Sequence, residues 1–161
     1  MSAFFKIRFI NSDGFVSWAI DTVTNSLWDH TEIETETGTW IGAHASGGVE
    51  ERAADYCKPT RERRYAIPCT DEQLAAIMQY ARSKIGTKYD FEDIAGLLFR
   101  TRKLHSKGRN ICSAFVLMSA FAGQLFMLNI EPGYEYLCTP ENLHLSPLLI
   151  GHCTYRFPEP K

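Results

Sequence analysis

The chain has 161 residues, with 17 Lys and Arg against 19 Asp and Glu, for a formal net charge of −2. This length suits one domain with a single core, and 45% hydrophobic with 22% charged residues excludes disordered, collagen-like and coiled-coil classes. A charge this near zero gives no electrostatic reason to expect nucleic acid as a partner.

The opening, Met1 to Ile10, alternates and is too short for a leader or a membrane helix. A cytoplasmic protein without a transmembrane segment is therefore expected. No repeat or linker divides the sequence, and residues 1–161 read as one domain. Phe4 to Ile10 is apolar and β-prone, and Asn11-Ser12-Asp13-Gly14 is a turn signal after it. Phe15 to Thr24 carries a short helical spacing. Trp28 to Thr35 and Trp40 to His44 read as strands joined by a turn at Thr37-Gly38. Gly47-Gly48 breaks the second strand, Val49 to Arg52 continues it, and Arg63 to Pro68 is a further strand.

The period then changes. Thr70 and Gln73 form a capping-box pattern, and Leu74, Ile77, Met78, Ala81 and Ile85 follow at helical spacing. Gly86 falls where a left-handed C-cap belongs. Asp90 to Phe99 reads as a second helix, and the basic run Arg100 to Arg109 as a solvated loop. Asn110 is placed to cap a third helix over Ile111 to Gln124. Thr139-Pro140-Glu141 resembles the start of a helical turn, Leu143 to Ile150 is a short apolar stretch, and Gly151 to Phe157 is a closing strand. The class these elements imply is α+β, with helices packed on a largely antiparallel sheet.

Five cysteines is an odd count, which favours separate thiols in a reducing compartment over a disulfide framework. With Asn110 as the cap, Cys112 takes the second helical position, where free backbone N–H groups and the helix dipole favour the nucleophilic thiolate. Cys57, Cys69, Cys138 and Cys153 have no such context. A cysteine nucleophile needs a base, usually histidine. His105, His144 and His152 read as ordinary surface or core histidines, whereas His30 and His44 fall on the two arms of the predicted hairpin. An odd-numbered loop sets them opposite each other, and a two-residue loop sets His30 opposite Ala45. No CxxC or HxxxH spacing occurs, so no metal site is expected.

The stretch WDHTEIETETGTWIGAHASGGVEER (28–52) resembles the histidine-bearing hairpin of the circularly permuted branch of the NlpC-like, papain-fold cysteine hydrolases. IGTKYDFEDIAGLLF (85–99) is similar to that superfamily's G-x-x-Y-D segment, and NICSAFVLMSA (110–120) to its C-S-x-x-V nucleophile helix. TPENL (139–143) resembles a late segment of the same group. In the permuted branch the histidine hairpin precedes the cysteine, as it does here.

The resemblance implies a permuted papain-like fold, with Cys112 as nucleophile and His30 as general base. Ser113 and Tyr89 fall near the substrate and the oxyanion. Many permuted relatives carry a glutamate where this chain has Gly42. His44 ranks first to replace it, as in lecithin retinol acyltransferase-like members, and Glu32 second, because it shares a strand face with His30. The implied activity is that of a cysteine amidase or peptidase acting on a peptide, cell-wall peptide included, with no cofactor. The alternatives are a lipid-directed acyltransferase or thioesterase, and a non-catalytic structural or binding module such as a phage component.

Overall fold

Alternation along the first strand, β1 (Ser2–Asn11), points Phe5, Ile7 and Phe9 into the core, each with no exposed surface. In the computed structural model, residues 2–12, 27–44, 47–87, 109–130 and 138–156 are described. The expected helices at Phe15–Thr24 and Asp90–Phe99, Tyr89, Asp13-Gly14 and residues 100–108 of the basic run lie outside them.

Strand β1 pairs antiparallel with β2 (His30–Glu34) on one side and β5 (Arg61–Thr70) on the other. With β3 (Trp40–His44), β4 (Gly48–Arg52) and β6 (Cys153–Arg156) they form a six-stranded sheet in the order β4-β3-β2-β1-β5-β6. Every pairing among the described strands is antiparallel. The class is therefore α+β, as the periodicity predicts.

Two strands differ most from expectation. The fifth runs beyond Arg63–Pro68 because β1 offers it a partner at every position from Ser2↔Thr70 to Asn11↔Arg61. Pro68 is tolerated because β6 pairs only with residues 63–65, so no ladder on that side needs its missing N–H. Val49–Arg52 does not continue the preceding strand but folds back on it, with Ala43 opposite Val49. Gly48 has φ +83° at this reversal, a conformation open to glycine at no steric cost.

Helix α1 (Asp71–Ser83) starts at the expected capping box, Thr70 and Gln73 exchanging side-chain to backbone hydrogen bonds. Its buried face is Ile77, Met78 and Ala81. Past its end, the Gly86 N–H donates to the Val49 carbonyl at 2.9 Å, tying the helix to β4. Helix α2 (Arg109–Ala122) packs on α1, β2 and β3 through Phe115, Val116, Leu117 and Ala120, all fully buried. It begins before the expected start. Asn110 lies inside it rather than capping it, because the backbone is already helical at Arg109. The helix stops at Ala122, where a Cβ on Gly123 would sit 2.6 Å from the Gln73 carbonyl oxygen of α1.

A short helix, α3 (Pro140–His144), carries its own capping box between Thr139 and Asn142. A 3-10 turn at Pro147–Leu149 precedes β6. The apolar stretch here is divided: Leu143 and Leu149 are buried, and Leu145 and Ile150 face solvent. No described helix is long and apolar enough to cross a membrane. All five cysteines are free thiols.

Candidate functional site

The loop between β2 and β3 has five residues, 35–39, closed by the Thr35 N–H donating to the Thr39 carbonyl at 2.9 Å. Gly38 takes φ +79° in it. The resulting register pairs Ile33 with Ile41 and Glu34 with Trp40. Continued along the strands, it sets Glu32 across from Gly42 and His30 across from His44. Residues 30, 32, 42 and 44 thus share one face of the hairpin, and Ile33, Ile41 and Ala43 turn to the core on the other. The odd loop resolves the alternative that the sequence left open.

The two imidazoles pack with ring centroids 4.7 Å apart. Glu32 lies beside both: its Oε1 is 3.3 Å from His30 Nε2 and 3.5 Å from His44 Nε2. These are electrostatic contacts rather than aligned hydrogen bonds, and neither Nε2 has a hydrogen-bond partner among the described residues. The carboxylate itself is fully buried and firmly held. Arg8, from β1, reaches its Oε2 with Nε at 2.7 Å and Nη2 at 2.6 Å. The Tyr56 hydroxyl donates to Oε1 at 2.7 Å. Arg8 also lies 3.4 Å from Glu62 and stacks 4.0 Å over the Trp40 ring.

Burial alone would raise the Glu32 pKa. The His30 contact, the Arg8 charge and the Tyr56 hydroxyl override it and bring Glu32 down to about 2. His30 behaves in the opposite sense. Burial works against its charge, but the charge of and hydrogen bond to Cys112, together with Glu32, raise it to about 10. For His44, burial and the neighbouring His30 charge dominate and lower it to about 4. The two imidazoles are thus shifted in opposite directions, His30 upward and His44 downward.

Cys112 is fully buried, in the first turn of α2 as the fourth helical residue rather than the second. Its side chain is in hydrogen-bonding contact with His30. The structure thus brings Cys112, His30, Glu32 and His44 together. Ser113 is adjacent, but its hydroxyl donates to the Cys138 carbonyl at 2.5 Å and so is committed to the interior. Burial, then the nearby Cys112, pushes the Cys138 thiol up to about 12. His144 stands apart, its Nε2 2.8 Å from the Tyr65 hydroxyl.

Arg8 and Tyr56 were not singled out from the sequence. Arg8 did carry a signal: it interrupts an apolar strand between Ile7 and Phe9, and an arginine buried there requires an acidic partner. Tyr56 carried none, because it arrives from an irregular segment between β4 and β5.

No protein-family model and no curated protein matches the chain. Among solved structures it is similar to metalloprotein yiiX from Escherichia coli O157:H7 (DUF1105), with a TM-score of 0.56 and 15% identity, covering 96% of this chain and 97% of that one. The likeness is one of fold.

Proposed function

We propose that the protein is a cysteine hydrolase of the permuted papain-like kind, cleaving an amide or ester bond by acyl transfer through Cys112. One observation carries this reading: His30 contacts the Cys112 side chain and the anchored carboxylate of Glu32 at once. That is the nucleophile, proton carrier and orienting group of a triad.

In this mechanism His30 holds the proton given up by the thiol, and the sulfur attacks the substrate carbonyl carbon. Backbone N–H groups in the first turn of α2 stabilise the oxyanion. The C–N or C–O bond then breaks, and the leaving group takes the proton from His30. Water, deprotonated by the same imidazole, releases the acyl group from sulfur. Glu32 keeps the imidazole oriented and offsets its positive charge. Peptides are the first substrate class, cell-wall peptides among them, and acyl esters the second.

The test is iodoacetamide alkylation near neutral pH in chelator-treated protein, with each cysteine followed separately. Cys112 should react about tenfold faster than Cys138, which is equally buried, and His30→Ala should remove that advantage. A Cys112 rate no faster than that of Cys138, unchanged by His30→Ala, sinks the reading. Peptidoglycan fragments and acyl esters, assayed side by side with wild type and Cys112→Ala, then identify the substrate class.

A further inference from the structure

We propose that His30, Glu32 and His44 form a binding site for a divalent transition-metal ion, zinc by donor set and spacing. The proposal stands on side-chain geometry alone; it shares His30 and Glu32 with the hydrolase reading, and a bound ion would occupy the proton carrier of that reaction. Two imidazole nitrogens and one carboxylate oxygen converge with all three atoms within 4.8 Å of one another. Two imidazoles exclude a calcium or magnesium site, which is built from oxygen.

The spacing admits such an ion. Zinc binds imidazole nitrogen and carboxylate oxygen at about 2.0–2.2 Å in a tetrahedral shell, so its ligands sit about 3.3–3.5 Å apart. Oε1 of Glu32 is 3.3 Å from His30 Nε2 and 3.5 Å from His44 Nε2.

A second observation points the same way. The Nε2 atoms of both histidines are buried, with no hydrogen-bond partner among the described residues, although the His44 side chain is only 10% exposed. Buried nitrogens aimed at a shared carboxylate are costly to leave unsatisfied, and a cation would satisfy both. Gly42 lets the Glu32 carboxylate lie beside His30: a Cβ there would lie 2.9 Å from Glu32 Oε1 and 3.1 Å from His30 Nε2.

The supporting groups suit a ligand carboxylate as well. Arg8 fixes the other oxygen, Oε2, and Tyr56 donates to Oε1, so the carboxylate is already oriented. Arg8 is shared with Glu62, which leaves Glu32 with charge to offer a cation.

Protein stripped with chelator is dialysed against zinc sulfate and its metal content measured. The wild type should retain one zinc per chain at about 10 µM free zinc. His44→Ala and the closer-shaped His44→Asn, both checked for folding by circular dichroism, should weaken retention at least about 100-fold. Tyr56→Phe should weaken it roughly tenfold, as loss of a supporting group typically does. Cys112→Ser should leave it unchanged. Cobalt(II) in place of zinc should give strong tetrahedral bands without a thiolate charge-transfer band. Absence of zinc from the wild type, full retention by a folded His44 variant, or loss of zinc in Cys112→Ser would overturn the proposal.

Discussion

Glu32 occupies the space that a side chain on Gly42 would fill. A Cβ on Gly42 would lie 2.8 Å from Glu32 Cγ and 2.9 Å from its Oε1, closer than such contacts allow. The carboxylate therefore reaches the histidines from β2, and the facing position on β3 is kept bare to admit it.

Gly42→Ala should accordingly push Glu32 away from Arg8 and Tyr56. Neither partner gives way cheaply, because Arg8 is stacked on Trp40. Overpacking of this kind costs about 1–3 kcal/mol, read as a lower urea midpoint. Alkylation of Cys112 should slow in the same variant. Moving the carboxylate across the hairpin, with Glu32→Gly and Gly42→Glu together, should recover more of that rate than either single change.

Glu32→Gln leaves buried Arg8 with Glu62, 3.4 Å away, as its one acidic partner among the described residues. Removing one partner of a buried ion pair costs about 3–5 kcal/mol. Chemical denaturation should show a loss of that order. A loss below about 1 kcal/mol would mean that Arg8 finds solvent or a full partner in Glu62.

Ser113→Ala removes the hydroxyl that donates to the buried Cys138 carbonyl. An unsatisfied buried acceptor costs about 1–3 kcal/mol, so the unfolding midpoint should fall. The Cys112 alkylation rate of the folded variant should match the wild type, since this hydroxyl points inward. A slowed thiol with unchanged stability would instead assign Ser113 to the reaction.

Cys138 supplies a pH prediction. Its folded pKa is raised from an ordinary value of 9.0 to about 12, first by burial and then by Cys112. Between these values the unfolded chain loses the proton while the folded chain keeps it, so the unfolded state binds fewer protons. The contribution is fully present below pH 9 and is lost as the pH rises towards about 12. Cys138→Ala should therefore show a shallower decline in stability over that range, measured by denaturation at a series of pH values.

Local signals in the sequence determined a good part of this architecture. The capping boxes at Thr70–Gln73 and Thr139–Asn142 are contained within four residues, and both helices start where those residues place them. Alternation and turn residues located β1 and the two arms of the hairpin, and the helical period located α2 with Cys112 near its start. The chemistry-bearing residues Cys112, His30, Glu32 and His44 were all visible by type. Their mutual geometry was not, because it depends on contacts between distant segments.

Only the tertiary structure chose the five-residue loop, and with it the register that faces His30 with His44 and Glu32 with Gly42. A slip of one residue would have turned one pair away, and no local preference excludes it. The anchoring of Glu32 was decided in the same way. Arg8 lies 24 residues before it and Tyr56 24 residues after, and the fold alone brings both to one carboxylate. By itself the sequence determined which reactive groups the chain offers. Burial and long-range pairing decided which of them are charged, which are held in place and which face each other.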